Sequence, residues 1–202
     1  MAKNIVLASA SPRRADLLRQ LGLCFTTRPV DIDETPLPGE EASAYVHRLA
    51  GEKAVAGFTR AGDPDALVLG SDTTVVLDGR VLGKPTDREH AKTMLGALSG
   101  RTHQVMTGVA LTGQAGTEIL VSITEVTFRT LGEREIDAYC ASGEPMDKAG
   151  GYGIQGRGGA FVSAITGSYS AVVGLPLDVV AGLLEQAGLP VWECWISNNN
   201  GE

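Results

Sequence analysis

Residues 4–22 read NIVLASASPRRADLLRQLG, and this stretch decides the architecture. The run at 4–8 is β-branched and aliphatic, with the length of a buried strand. Ser11 then stands where a helix N-cap belongs. Pro12 follows at the first helical position, where its missing N–H costs nothing. Leu17, Leu18 and Leu21 form one apolar stripe, and Gly22 sits where a left-handed residue ends a helix. A strand that feeds at once into a helix opens a βα unit. The stretch also contains a conflict. Arg13 and Arg14 fall in the first helical turn, where the helix dipole disfavours cations, in a chain of net charge −7. An anion held by the free N–H groups and the arginines would resolve it. Two solvated arginines on a capped surface helix are the plain alternative.

Outward from this unit, residues 23–30 read as a second strand and 31–40 as a polar loop with Pro36 and Pro38. Residues 42–58 have helical spacing, with Tyr45, Val46, Leu49 and Ala50 on one face. Gly62-Asp63-Pro64 is a turn. Residues 66–70 and 73–77 read as a strand bent at Gly70, followed by a hairpin turn at Asp78-Gly79. A helix over 87–98 takes Thr86 or Asp87 as its cap. Two long strands, 102–112 and 118–129, flank a turn at 113–116. A helix over 133–141, a strand over 160–165 and a helix over 177–186 complete the pattern. Parallel βα units beside a long hairpin predict an α/β (α+β) fold with a mixed central sheet and flanking helices. No linker divides the chain, so one domain over 1–196 is expected, with 197–202 as a frayed tail.

The chain has 202 residues, 43% of them hydrophobic, enough for a full core without staples. Its acidic balance and 5% aromatic content argue against a nucleic-acid surface. No run approaches the roughly 20 apolar residues of a membrane span. Cys24, Cys140 and Cys194 lack the spacing of a disulfide framework or a zinc site, so a reducing, cytoplasmic setting is expected. His47, His90 and His103 have no metal-ligand spacing and read as structural or surface residues.

Several groups could carry chemistry. Ser9 and Ser11 can donate to a phosphate, and the arginine fork matches phosphate oxygens. Asp72 follows an apolar strand directly, and a carboxylate there is costly unless paired or bound to a metal. Asp31, Asp33 and Glu34 form a second acidic group. Oxygen ligands suit Mg²⁺ or Mn²⁺, which take one or two carboxylates plus phosphate oxygens; a solvated loop is the plain alternative. Lys53, Lys84 and Lys148 are each ordinary surface lysines when taken alone, but with Arg13 and Arg14 they could form a cationic pocket. Gly151-Tyr-Gly153-Ile-Gln-Gly156 fits the dinucleotide fingerprint only by letter. The fingerprint needs a strand before it and a helix starting within it, and here loop and strand follow. These glycines serve tight turns or close approach to a ligand. Gln155 among them could read a base edge or sit idle in solvent. No P-loop, GxSxG elbow or HExxH motif is present.

SASPRRADLLRQLG, DIDETP, RLAGEK, GSDTTV, GKPTDREHA, LSGRTHQVMTGVAL and DKAGGYGIQG occur in one order, and together they resemble the Maf family of nucleotide pyrophosphatases from about residue 5 to 186. The resemblance implies two lobes around a deep cleft, as in related inosine triphosphatase-like folds, often in a homodimer. It also implies hydrolysis of nucleoside triphosphates to the monophosphate and pyrophosphate. Arg13, Thr73 and Gln155 resemble the branch acting on dTTP and UTP; a sister branch preferring 7-methyl-GTP carries Trp, Gln and Glu at the matching places. On this resemblance Ser9, Arg13 and Arg14 hold the triphosphate, Lys53 and Lys84 complete the cradle, and Thr73 and Gln155 select the base. Glu34 and Asp72 contact a divalent cation, and Asp72 accepts the proton of the attacking water. The competing expectation is a nucleotide-sensing regulator of cell division with little or no turnover.

Overall fold

The computed structural model describes residues 3–198, and side chains up to Trp195. The first βα unit forms as its sequence dictates. Strand β1 (Ile5–Leu7) is fully buried and leads to helix α1 (Pro12–Gln20). Ser11 is the N-cap, its hydroxyl facing the Arg14 N–H at 3.5 Å. Gly22 takes φ 71° just past the helix end, and Leu17 and Leu18 face the core. Burying a leucine side chain such as Leu18 is worth about 2 kcal/mol.

Strand β2 (Phe25–Thr27) is shorter than the 23–30 expected, because it is an edge strand that pairs only with the three residues of β1. Helix α2 (Ala42–Ala61) runs three residues past the expected end. Nothing breaks it before Gly62, which caps it at φ 65°. Strand β3 (Leu67–Leu77) is one continuous strand rather than two segments bent at Gly70. A Cβ at Gly70 would lie 2.3 Å from the Ala50 carbonyl oxygen and 2.5 Å from the Ala54 nitrogen. This glycine therefore admits the α2 backbone and does not turn the strand. The hairpin at Asp78 and Gly79, with φ 52° and 74°, leads to β4 (Arg80–Leu82). These left-handed residues match the twist of the paired strands.

Helix α3 (Arg88–Leu98) is capped by Asp87, whose carboxylate accepts from the His90 N–H at 2.8 Å. Strands β5 (Thr102–Gly113) and β6 (Gly116–Phe128) follow, then α4 (Glu133–Ala141). The glycine-rich segment contains 3-10 turns and ends in β7 (Val162–Thr166). Helices α5 (Tyr169–Val173), α6 (Leu177–Gln186) and α7 (Val191–Asn198) close the chain. Neither α5 nor α7 is expected from the sequence pattern. Helix α7 includes Ser197 and Asn198 of the expected tail, and residues 199–202 lie outside the described part.

The sheet runs β2-β1-β3-β5-β6-β7, with β4 beside β3. β1 is parallel to β2 and β3, while β4 and β7 are antiparallel to their neighbours, so the sheet is mixed. The chain divides into two compact units, each discontinuous in sequence. One comprises Met1–Asp72, Thr107–Ser122 and Gly174–Glu202; the other comprises Thr73–Met106 and Ile123–Val173. In the first unit, Val6, Ala8, Ala66 and Val68 pack with Phe58 of α2, and Ala50 and Ala54 pack on Ala110. The second is centred on Phe128, whose ring meets His103, Tyr152 and Phe161 edge-on at 5.0, 4.7 and 5.8 Å.

Candidate active site

In β3, Gly70 and Asp72 are two residues apart and so share one face. Gly70 lies beneath Ala50 and Ala54 of α2. Lys53 projects from the same helical face, one residue before Ala54. The next position along the β3 face is Asp72, and there the Lys53 ammonium donates to Asp72 Oδ1 at 2.7 Å. Both are buried, at 8% exposure each. Lys53 also pairs with Glu34 Oε1 at 2.6 Å. One ammonium thus bridges two carboxylates from separate segments, which meets the cost of burying Asp72.

The acidic loop is held from the same helix. The Tyr45 hydroxyl donates to the Glu34 carbonyl at 2.9 Å, and Arg48 donates to the Thr35 carbonyl at 3.2 Å. Arg48 also grips Glu40 with two bonds, at 2.7 and 2.8 Å. This fork, with the Leu37 N–H, holds the Glu40 carboxyl down at about 2. Burial, with Asp72 and Glu34 nearby, pushes the Tyr45 hydroxyl up to about 12, so it remains a donor. Asp33 accepts from the Thr35 N–H at 2.9 Å and serves the turn; the Thr35 hydroxyl and that N–H lower its pKa. Of the three acidic candidates in the loop, Glu34 is the one that reaches Lys53.

The Ser9–Arg14 turn follows the carboxyl end of β1, beside β3. Ser9 is buried at 7% exposure, and its hydroxyl accepts from the Ser11 N–H and from Arg14 Nη1, both at 3.2 Å. Arg14 Nε donates to the Gly174 carbonyl at 2.8 Å, which the Ser71 hydroxyl also reaches at 2.9 Å. Arg14 therefore ties the turn to the segment of β3 just before Asp72. Burial pulls its pKa down, while Asp72 and Glu34 pull it up. Arg13 is partly exposed on the first turn of α1.

Thr73, Lys84 and Gln155 belong to the second unit: Thr73 is partly buried, and Lys84 and Gln155 are exposed. Lys148 is committed within its own segment, donating to the Glu144 carbonyl at 2.8 Å and to Asp147 at 2.6 Å. The second unit also shows why the glycine run is not a dinucleotide fingerprint. No α-helix starts within it, and a 3-10 turn and β7 follow. His103 is structural, as its pattern suggests: it is 2% exposed, and its Nε2 shares a 2.8 Å bond with the Tyr152 hydroxyl. Burial lowers its pKa to about 4, so the ring is neutral.

Sequence reasoning passes over Tyr45, Arg48 and Glu144. Tyr45, Arg48 and Glu52 sit at i, i+3 and i+7 on α2, a spacing that marks one helical face. Glu144 gives no local signal, because the backbone N–H groups it binds lie 13 and 14 residues further on.

Among the described residues no group of three or more His, Cys, Asp or Glu side chains is arranged to hold a metal ion. The donor set is instead two carboxylates, Glu34 and Asp72, converging on one point. That fits a hard cation whose other ligands are phosphate oxygens and water.

A mixed α/β fold here brings together a serine- and arginine-bearing turn at a helix N-terminus and a lysine-bridged carboxylate pair. Residues 4–187 match the Maf-like protein family, and the chain belongs to that family. A dTTP/UTP pyrophosphatase of Myxococcus xanthus is 57% identical over 187 residues, covering 93% of this chain and 94% of that protein. The dTTP/UTP pyrophosphatase of Nitrosomonas europaea is 53% identical over 199 residues, covering 93% and 96%. That of Hahella chejuensis is 50% identical over 191 residues, covering 94% and 95%.

Proposed function

We propose that this chain hydrolyses dTTP and UTP to the nucleoside monophosphate and pyrophosphate. The observation that carries the reading is the buried Asp72 carboxylate, held by Lys53 beside Glu34 and next to the Ser9–Arg14 turn. The relatives named as dTTP/UTP pyrophosphatases, similar over nearly their whole length, support the substrate class. The same relatives disfavour a nucleotide sensor without turnover.

On this reading the N-terminal turn of α1 and Arg13 take the phosphates, where free N–H groups and a cation favour negative charge. Arg14 holds Ser9 and the Gly174 carbonyl in place. Lys53 pairs with both carboxylates, and its flexible stem allows it to turn towards phosphate oxygens. Lys84 adds a second cation. Asp72 orients a water and accepts its proton as oxygen attacks the α-phosphorus and the bond to the β-phosphate breaks. Glu34 and Asp72 would hold a divalent cation, Mg²⁺ or Mn²⁺, which supplies charge neutralisation to the triphosphate. Thr73 and Gln155 select the base. A cytoplasmic setting accompanies this reading, supported by three free cysteines; pairing of two copies comes from the family resemblance.

The test is pyrophosphate release from a panel of nucleoside triphosphates with Mg²⁺, Mn²⁺ or EDTA. Turnover of dTTP and UTP but not 7-methyl-GTP, abolished by EDTA, is expected. Saturable binding without turnover of any nucleotide would return the weight to the sensor.

A further inference from the structure

The glycine run of the second unit has its own internal anion. Glu144, in the 3-10 turn Glu144–Asp147, points its carboxylate into the segment that carries Gln155. Oε2 accepts from the Arg157 N–H at 3.1 Å, and Oε1 accepts from the Gly158 N–H at 3.2 Å and the Tyr139 hydroxyl at 3.0 Å. The Tyr139 oxygen in turn accepts from the Gly153 N–H at 3.1 Å. The glycines make room for this cluster. A Cβ at Gly156 would fall 2.3 Å from Glu144 Oε1, one at Gly158 2.8 Å from the Tyr139 oxygen, and one at Gly153 2.6 Å from Lys148 Cε. These close approaches are to protein side chains, and the amides of residues 157 and 158 are engaged by Glu144.

The geometry points to Glu144 as a positioning residue for base selection: its carboxylate fixes the loop from which Gln155 is presented. Gln155 is exposed between two fixed points, the Gly153 N–H on Tyr139 and the Arg157 N–H on Glu144. Behind the loop, Tyr152 is buried at 6% exposure and bonded to His103. Without the carboxylate the backbone around Gln155 loses its anchor, while Asp72 and Lys53, in the first unit, keep theirs. The inference rests on the proposed function, since it assigns base reading to Gln155.

The experiment measures pyrophosphate release from dTTP, UTP, dCTP and dGTP by the unaltered chain and by Glu144→Gln, Gly156→Ala and Gln155→Ala. It is paired with amide NMR of the substrate-free proteins. In Glu144→Gln an NH2 donor replaces one of the two carboxylate oxygens and so faces either the Arg157 N–H or the Gly158 N–H, which now sit on separate oxygens. The Arg157 and Gly158 amide signals are expected to move in Glu144→Gln. All three variants are expected to raise KM for dTTP and UTP about tenfold and lower the preference over dGTP, and Glu144→Gln and Gly156→Ala are expected to leave kcat within about threefold. Gly156→Ala drives a Cβ against the carboxylate and so displaces Glu144 without changing its chemistry. Unmoved amides overturn the anchor. Moved amides with unchanged KM and preference overturn the positioning role. An unaltered chain that turns over neither dTTP nor UTP overturns the proposed function itself, before any variant is compared.

Discussion

Two carboxylates in this molecule are compensated by opposite means. Asp72, in the first unit, is compensated by a lysine that also holds Glu34. Glu144, in the second, is compensated by two backbone N–H groups and a phenol. A lysine stem has four rotatable bonds and three donors, so its ammonium can leave one partner for another. Backbone amides cannot. The first arrangement suits a group that must exchange partners when a polyanion arrives, and the second suits a group that must never move. Mobility and rigidity are thus assigned by the kind of donor, while the acid group is the same.

The sharpest way to break this contrast is Asp72→Asn. The amide cannot accept a proton from water, and loss of a general base costs 10²–10⁴-fold, so turnover is expected to fall by about 10³-fold with nucleotide binding retained. Stopped turnover and equilibrium binding check it together. Lys53→Met tests the mobile cation. It leaves Asp72, whose side chain is 12% exposed, without its partner, and breaking such a pair is expected to cost about 4 kcal/mol of stability. Urea unfolding reads that loss, and a fall below 1 kcal/mol would make the lysine dispensable to the fold.

The smallest effect concerns His103, in the region compensated by neutral donors. Burial holds its pKa at about 4 against an ordinary 6.5. Above pH 6.5 both folded and unfolded chains carry it neutral, and it contributes no pH dependence. As pH falls from 6.5 towards 4 the unfolded chain takes up the proton and the folded chain does not. Stability is therefore lost in that window, by about 3 kcal/mol at pH 4. In His103→Gln the melting temperature is expected to fall less steeply over the same window than in the unaltered chain.

Much of this was legible in the sequence for physical reasons. The first βα unit, α3, α4 and α6 announce themselves through caps and periodicity, which are local. Asp72 stands out because a charged residue in an apolar setting demands a partner, although the sequence does not name that partner: Lys53, taken alone, reads as an ordinary surface lysine. Gly70 misleads, since a glycine in a strand marks either a bend or a close neighbour, and the neighbour here, α2, is 16 or more residues away. Glu144 stays hidden for a related reason: it binds the backbone N–H groups of Arg157 and Gly158, and a backbone amide has no letter in the sequence. Helix α5 is too short to show a period, and α7 follows Pro190 with an apolar face that the pattern leaves unassigned.

The seating of α2 has a further consequence. Gly70 of β3 faces the backbone of Ala50 and Ala54, and a Cβ at Gly108 of β5 would lie 2.2 Å from the Val46 carbonyl oxygen. A helix resting backbone-first on two neighbouring strands has no side-chain cushion in which to slide or roll. The height of Lys53 above Asp72 is therefore inherited together with two glycines that touch neither residue's charge. Mutational paths that would retune that height are closed one step at a time, because either glycine changed alone lifts the helix at one point and leaves it seated at the other.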